Sequence, residues 1–440
     1  MEWFGRASIE FTHSATPLQL TRKSKDKDGD GDGDMIDLPQ LCRDSTPPCQ
    51  LNPLLFNGHL QTFWTAVGNA APHVYYRRRV FESTHALYGG SFAVDFAVAP
   101  HEDEDAVLPP RTAPFDEAAF ADIGSDDCRP MLLVLHGLSG GSYEVYLRHC
   151  IAPLLADGRD WAVAVINARG CANSTLTSGM LFNARATWDV RQVARWARQT
   201  FPNRPLFGLG FSLGANILTN YVGEEGVDCP LTAAVAVGNP FDLQLSNKAL
   251  QRTFVGKHVY ESVMAGNLKA LISKHRDVLE KTTDLNFDRI MAGNTLYEFD
   301  REVQCTTWGY PTEDAYYRDA SSSDSVTAIR IPFLVIQAKD DPIAPEEAVP
   351  YGELKLNPYT VLCMTSLGGH LSWFEPMGGR WHAKPVSNFL HKFATEIDLD
   401  AIPPRPKDLN TTTPKKGGPK GGPFDPMRRR MQAHHDSYIA

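Results

Sequence analysis

Seven short apolar runs follow one another along the middle of the chain, and most are continuous rather than alternating between apolar and polar positions. Continuous runs of this kind predict strands that are covered on both faces of a sheet. Helix-length segments separate several of them; in TWDVRQVARWARQTF, Val190, Val193 and Ala197 share one face. Alternating strands and helices predict a mostly parallel sheet with helices on both faces. The runs are SFAVDFAVA, MLLVLHG, WAVAVINARG, LFGLGFS, LTAAVAVGNP, FLVIQAKDD and TVLCMTSLGGH.

The alternation stops between about residues 239 and 330, where the pattern becomes helical. VYESVMAGNLKALISKH places Met264, Leu268 and Leu271 at helical spacing, and a strand-like run returns at IPFLVIQAKDD. We therefore expect a helical cap inserted between two strands of the core. The predicted organisation is a disordered N-terminal segment, the first part of the core, the cap, the second part of the core and a disordered C-terminal tail: residues 1–51, 52–238, 239–330, 331–397 and 398–440.

Two segments of biased composition suggest disorder at the ends of the chain. KSKDKDGDGDGDMIDLPQ is acidic and of low complexity. Asp26, Asp28, Asp30 and Gly31 fit the opening of a calcium loop, with Asp37 at its last ligand position. A solvated linker is the preferred interpretation, because no amphipathic helix flanks this stretch. The C-terminal tail is rich in Pro, Gly, Lys and Arg and has no apolar periodicity.

Composition narrows the classes of function. The chain has 440 residues with 42% hydrophobic and 22% charged residues, which is typical of a globular protein. Its net charge of -9 argues against a nucleic-acid partner. A secretory leader and an apolar run of about 20 residues are both absent, so we expect an intracellular protein, cytoplasmic or peripherally associated with a lipid surface. The eight scattered cysteines contain no C-x-x-C pair and are expected to be free thiols.

One serine stands between glycines at the predicted junction of a strand and a helix. In GLGFSLGAN, Ser212 lies two residues after Gly210 and two before Gly214. Gly-x-Ser-x-Gly in this setting is typical of a nucleophile elbow, a strained turn that lifts the hydroxyl above the sheet. A simple tight turn would show the same motif. Its chemical meaning therefore depends on partners elsewhere in the chain.

Candidate partners follow Ser212 in the order Ser, acid, His that α/β-hydrolases share. The loop after FLVIQAKDD offers Asp341 as the acid, with Asp340 as the alternative. One strand later, GGH offers His370 as the base. The sequence thus predicts that the three side chains meet at one edge of the sheet, with geometry as the deciding test.

An oxyanion hole needs backbone amides near the serine. LHGLSGGS ends an early strand, at the place where this fold supplies one donor, and the residue after the nucleophile supplies the other. We therefore predict the amides of Leu138 and Leu213 as the donors. His136 is interpreted as structural rather than as a base, and Arg169 with Asp189 as a structural pair.

These residues predict an α/β-hydrolase fold, with a mostly parallel central sheet, helices on both faces and an inserted helical cap. They also predict a serine esterase or acyltransferase. An ester or thioester would acylate Ser212, and water or an alcohol would accept the acyl group. The alternatives are a dedicated acyltransferase or thioesterase in a specialised-metabolite pathway, and a lipid-binding protein of the same fold without catalysis.

Further strings narrow the resemblance to one branch of the α/β-hydrolases. The chain resembles the branch of the fungal medium-chain fatty-acid ethyl ester synthase/esterases, the animal medium-chain phospholipases and related bacterial and plant esterases. The resemblance covers about residues 52–393 and rests on NPLLFNGHLQTFW, NARGCANS, YEFD, GYPTEDAYYRDASS and GGHLSWFE. It implies Ser212, Asp341 and His370 as the triad, and activity on short- to medium-chain acyl esters without metal or cofactor. Ser139 departs from the more usual Thr.

The first of these strings admits two interpretations. Asn57, His59 and Gln61 could line the mouth of the site, although an N-terminal arm that packs over the sheet is preferred. Aromatic residues such as Trp64 and Trp373 could contact an acyl chain, but core or lid packing is the more common role of such side chains.

Overall fold

The computed structural model describes residues 5–24, 34–65, 67–68, 70–85, 88–103, 105–156 and 158–405. Within these residues the strands are β1 Arg6–Ala7, β2 Ile9–His13, β3 Gln19–Thr21, β4 Met35–Asp37, β5 Cys49–Gln50, β6 Tyr75–Glu82, β7 Ser91–Val98, β8 Thr112–Pro114, β9 Met131–Leu135, β10 Ala162–Ile166, β11 Leu206–Phe211, β12 Leu231–Val237, β13 Phe333–Ala338 and β14 Thr360–Thr365.

The helices cover both faces of the core and fill the interval between β12 and β13. They are α1 Leu38–Ser45, α2 Gly58–Trp64, α3 Glu117–Ala121, α4 Val145–Leu155, α5 Trp188–Thr200, α6 Leu213–Glu225, α7 Leu243–Arg252, α8 Glu261–Lys274, α9 Arg276–Thr282, α10 Phe287–Ala292, α11 Leu296–Trp308, α12 Glu313–Ala320, α13 Tyr351–Leu356 and α14 Ala383–Glu396. A π-helical turn, Gly256–Tyr260, leads into α8.

The central sheet has ten strands in the order β2-β14-β13-β12-β11-β9-β10-β7-β6-β8. The six neighbours from β14 to β10 are all parallel, whereas β2, β7 and β6 add antiparallel pairings. Every residue of β9, β11, β13 and β14 is buried. Burial on both faces explains why these strands are continuous apolar runs in the sequence. The predicted fold class is confirmed.

The parallel strands place several loops at the same edge of the sheet. Because their carboxyl ends point the same way, the residues that follow β9, β11, β13 and β14 emerge side by side. Those residues include Leu138, Ser212, Asp341 and His370. The topology alone therefore gathers the candidate site residues.

The described residues of the N-terminal segment, 5–24 and 34–51, are folded, contrary to the expectation of disorder for residues 1–51. Strand β2 pairs antiparallel with β14 and covers what would be an open sheet edge. Leu20, Leu38 and Leu41 are fully buried in the main core. The acidic linker dominated the composition of this segment, but the apolar residues on both sides of it bury enough surface to offset the entropy of ordering.

Of the residues suggested as a calcium loop, only Asp37 is among those that the structure describes. Asp26, Asp28, Asp30 and Gly31 lie outside the described residues. Asp37 instead caps helix α1, where its side chain accepts a hydrogen bond from the amide of Gln40. This is the ordinary N-cap role of an aspartate.

The tail that was expected to be disordered, residues 398–440, is described only as far as residue 405. Arg405 donates hydrogen bonds to the carbonyls of Val227, Cys229 and Leu231. The first eight residues of the expected tail therefore belong to the folded core.

Candidate active site

Ser212 lies on a strained turn between β11 and α6. Its backbone has φ 51° and ψ −118°, a conformation that non-glycine residues rarely adopt. A Cβ on Gly210 would lie 2.6 Å from the carbonyl oxygen of Gly214 and 2.7 Å from Cα of Ala215. On Gly214 it would lie 2.5 Å from the carbonyl oxygen of Leu135. The bracketing glycines are therefore required, because the turn packs backbone against backbone on both sides of the serine.

The three side chains suggested by the sequence form one hydrogen-bonded series. Ser212 Oγ lies 2.8 Å from His370 Nε2, and His370 Nδ1 lies 2.8 Å from Asp341 Oδ2. A carboxylate only accepts hydrogen bonds, so His370 carries its proton on Nδ1. Nε2 is then free to accept the proton of the serine hydroxyl. The arrangement can deprotonate Ser212 as that oxygen attacks an electrophile.

The two adjacent aspartates have different partners. Asp341 is 4% exposed, and its second oxygen, Oδ1, accepts from the amides of Ile343 and Ala344, both at 2.8 Å. Asp340 turns away from the imidazole ring and accepts from the amide of Gly369 at 3.0 Å. Burial raises the pKa of Asp340 to about 6. Asp341 is therefore the carboxylate in contact with the imidazole.

Helix α2 holds the loop that carries His370. Thr62 Oγ1 accepts the backbone N–H of His370 at 2.9 Å. Gln61 is fully buried; its Oε1 accepts the N–H of Phe374, and its Nε2 donates to the carbonyl of Leu55. The string NPLLFNGHLQTFW therefore supports the histidine loop from outside the sheet.

The sequence interpretation of this string included Gln61 but missed Thr62. Asn57 caps α2, and its side chain accepts from the amide of Leu60. His59 reaches the cap instead, with Nδ1 at 3.0 Å from the hydroxyl of Tyr260.

Two backbone amides beside Ser212 have no hydrogen-bond partner among the described residues. They belong to Leu138, after β9, and to Leu213, the first residue of α6. The preceding amide, that of Gly137, already donates to the hydroxyl of Tyr146 at 2.8 Å. The positive end of α6 adds to the favourable field for a negative oxygen. These are the two amides that the sequence suggested.

His136 interacts with backbone on both sides of its ring. Nδ1 donates to the carbonyl of Gly137 at 2.6 Å, and Nε2 accepts from the amide of Ala168 at 3.0 Å. Burial lowers its pKa to about 4, so the ring is neutral near pH 7. With both nitrogens engaged in this way, His136 holds two loops together.

The turn NARG supports the oxyanion loop from behind. Asn167 Oδ1 accepts the amide of Ser142 at 3.0 Å, and its Nδ2 donates to Asp95 at 2.9 Å. Arg169 makes a bidentate ion pair with Asp189 at 2.8 and 2.9 Å, in keeping with a structural role. Asp95, Asn167, Arg169 and Asp189 are all buried.

Two chambers meet at Ser212. The larger has a volume of about 470 Å³ and is lined partly by polar side chains, including Tyr143, Glu144 and Lys274. The smaller, of about 100 Å³, extends beneath the cap. Burial raises the pKa of Glu144 to about 7, so this wall of the larger chamber changes charge near neutral pH.

The described part of the chain contains no candidate metal site and no disulfide bond. No group of three or more His, Cys, Asp or Glu side chains there could hold a metal ion. All eight cysteines are free thiols. Among the described helices, none combines the length and apolar character that crossing a bilayer requires.

Comparison with known proteins identifies the family of the chain. A family model described as alpha/beta hydrolase fold matches residues 130–375. The chain belongs to the α/β-hydrolases. The family resemblance drawn from the sequence strings is confirmed.

Three relatives show which kinds of protein this α/β-hydrolase is similar to. A monoacylglycerol lipase of Saccharomyces cerevisiae is 34% identical over 398 residues, 86% of this chain and 87% of that protein. The medium-chain fatty acid ethyl ester synthase/esterase 2 of the same yeast is 30% identical, covering 78% and 85%. Human phospholipase ABHD3 is 31% identical over 247 residues, 56% and 59%. The relatives are thus lipases, esterases and phospholipases.

Proposed function

We propose that this α/β-hydrolase is a serine esterase that can also act as an acyltransferase. Ser212 is the nucleophile, His370 the base and Asp341 its orienting carboxylate. The observation that carries the proposal is the hydrogen-bonded series from Asp341 through His370 to Ser212, beside two amides without partners. Each such donor aimed at an oxyanion can lower a barrier by about 3 kcal/mol.

The reaction proceeds in two halves. His370 Nε2 takes the proton of Ser212 while Oγ attacks the ester carbonyl, and the amides of Leu138 and Leu213 stabilise the oxyanion. Collapse breaks the C–O bond to the alcohol, which leaves with the proton from His370. Water or a second alcohol then attacks the acyl-enzyme with His370 as base, and the bond from the acyl carbon to Ser212 Oγ breaks as His370 returns the proton to that oxygen. The two outcomes are hydrolysis and transesterification.

Short- to medium-chain acyl esters are the proposed substrates. The names of the yeast and human relatives refer to monoacylglycerols, medium-chain fatty acid ethyl esters and phospholipids. Those names agree in one respect, an acyl group bonded to an alcohol oxygen. A serine nucleophile with an oxyanion hole is the chemistry that such a bond requires.

Exposed apolar side chains on two helices that line the larger chamber, and on the segment before the second of them, support contact with a lipid surface. Helix α2 and helix α8 both line this chamber. Two exposed apolar residues, Phe63 and Trp64, lie on α2. Two more are Phe254, which precedes the π-helical turn, and Val263 on α8. Their side chains are 43 to 78% exposed. Apolar patches of this kind mark interaction sites.

Charge favours an anionic lipid surface as the partner of this patch. Residues 243–274 contain five Lys or Arg residues and one acid, Glu261, which is fully buried. This cationic segment stands out in a chain of net charge -9. Basic residues beside exposed apolar side chains are the combination that binds anionic lipid surfaces.

Labelling with a fluorophosphonate tests the nucleophile. Wild type should react, Ser212→Ala should not, and Ser273→Ala, which changes an exposed serine on the cap, should react like wild type. Equal labelling of Ser212→Ala and wild type would exclude this serine. Gas chromatography of products formed with and without ethanol then separates the two acceptors, and absence of any ethyl ester would remove the acyltransferase half.

A further inference from the structure

The smaller chamber beneath the cap is mostly apolar but contains polar atoms that lack partners. Its walls include Phe182, Leu243 and Leu268, and it shares Ser212 and Met264 with the larger chamber. A chamber lined only by such residues would suit an alkyl group. Its polar wall is therefore the feature that calls for an explanation.

Two buried side chains on that wall have an unpaired atom. Ser246 is 5% exposed and Gln304 is 6% exposed. Ser246 Oγ and Gln304 Oε1 have no hydrogen-bond partner among the described residues. Gln304 Nε2 lies 3.4 Å from the carbonyl oxygen of Phe182, and in this orientation Oε1 is the atom without a partner. Leaving such an atom buried and unpaired is unfavourable, so both atoms are candidates for contact with a ligand.

A third group, Asp300, completes the polar wall. It is 5% exposed, and its Oδ2 accepts the hydroxyl of Tyr317 at 2.8 Å. Asp300 also lines the smaller chamber. Burial raises the pKa of Asp300 to about 7. The carboxyl is thus uncharged over part of the physiological range and can then donate as well as accept a hydrogen bond.

The surroundings favour a neutral ligand group over a charged one. Apolar walls make a charged ligand costly to bury. Gln304 Oε1 can only accept, whereas Ser246 Oγ can donate or accept. A hydroxyl satisfies both partners at once, because it donates one hydrogen bond and accepts others.

We propose that the smaller chamber is a subsite for a hydroxyl-bearing part of the ester substrate, held by Ser246, Gln304 and Asp300. The inference rests on the proposed function, since the chamber opens onto Ser212. It gives that function a substrate class, namely esters with a free hydroxyl close to the scissile bond or along the acyl chain. The hydroxyl can come from a polyol on the alcohol side or from a hydroxylated acyl chain.

Two matched substrate pairs distinguish these sources. 1-Monooctanoylglycerol against propyl octanoate varies only the hydroxyls of the alcohol part. p-Nitrophenyl 8-hydroxyoctanoate against p-nitrophenyl octanoate varies only the acyl chain. For each pair the ratio of kcat/KM values is measured in wild type, in Ser246→Ala, in Gln304→Met and in Ser273→Ala as the control. We expect wild type to prefer the hydroxylated member of one pair at least about fivefold, the effect of one hydrogen bond.

The variants tie that preference to the chamber. Ser246→Ala and Gln304→Met should each bring the ratio of the preferred pair about fivefold closer to one, whereas Ser273→Ala should leave it unchanged. Ser246→Ala should unfold at a temperature equal to or above that of wild type, because it removes an unpaired hydroxyl and introduces a better helix former. A serine with a purely structural role would lower that temperature.

The outcomes separate the subsite from the reaction. Ratios near one in both pairs for an active wild type would overturn the subsite alone. If both variants keep the wild-type ratios, the preference arises outside the smaller chamber, and the subsite is overturned as well. An inactive wild type that fluorophosphonate does not label would instead overturn the proposed function, and the subsite with it.

Discussion

Replacing each of the two adjacent aspartates by asparagine separates a carboxylate that orients the base from one that only supports a loop. In Asp341→Asn, Oδ1 can still accept the amides of Ile343 and Ala344. The new amide group then faces His370 Nδ1 in place of the carboxylate oxygen at 2.8 Å. It donates, so Nδ1 must become the acceptor and the proton moves to Nε2. The imidazole then cannot take the proton of Ser212.

The expected loss follows from this change of tautomer. A neutral substitution of the orienting acid in a Ser-His-Asp triad lowers kcat by about 10⁴-fold with the geometry intact. Asp340→Asn is the matched control, since Oδ1 can still accept the amide of Gly369 and the residue does not touch the imidazole. Its effect on kcat should stay below about tenfold.

Hydrolysis of p-nitrophenyl octanoate and the rate of fluorophosphonate labelling provide two independent measurements of the same step. Both rates should fall together in Asp341→Asn while KM changes little, because the substitution affects the reacting proton rather than substrate binding. Comparable losses in the two variants, or more than a tenth of wild-type kcat in Asp341→Asn, would refute the assignment. Circular dichroism and thermal unfolding show whether each variant is folded.

Three further outcomes are expected. Thr62→Val leaves the N–H of His370 without an acceptor and should lower kcat about 10- to 100-fold, whereas Thr62→Ser should restore most of it. The pKa of Asp300 is raised, so the folded state binds this proton more tightly than the unfolded state does. The free energy of unfolding should therefore fall as pH rises from about 4 to about 7. Asp300→Asn should make this fall smaller, as measured by thermal unfolding at several pH values. Changing Phe254 and Val263 together to Ser should weaken sedimentation with phosphatidylserine vesicles at least about tenfold, and Val107→Ser, a similarly exposed control, should not.

The fold and the meeting of the three side chains could be predicted because both depend on local sequence pattern. Fully buried parallel strands give continuous apolar runs, and their carboxyl ends share one edge of the sheet. Ser212, Asp341 and His370 each follow such a strand directly, so chain order and strand direction bring them close together. The choice between Asp340 and Asp341 was harder. Both follow β13, and only the turn at Ile343 and Ala344 decides which carboxylate faces the imidazole.

Groups that act from a distance in sequence were not predictable in the same way. Thr62 and His370 are 308 residues apart, and a single threonine on a short helix carries no pattern that names its partner. Ser246 and Gln304 look like ordinary polar positions on amphipathic helices. Only packing shows that both side chains line one chamber and that each has an unpaired atom there.

The N-terminal part of the chain supports both the edge of the sheet and the loop that carries His370. Strand β2 pairs along β14, and Ser8 and Ser366 exchange two hydrogen bonds at the point where β14 ends. Thr62 and Gln61 then bind the loop that follows. The segment that carries His370 is thus fixed on two sides by residues that precede the first β-α unit of the core. Because the distance from His370 to Ser212 depends on this loop, the same contacts that stabilise the sheet edge also set the geometry of the candidate site.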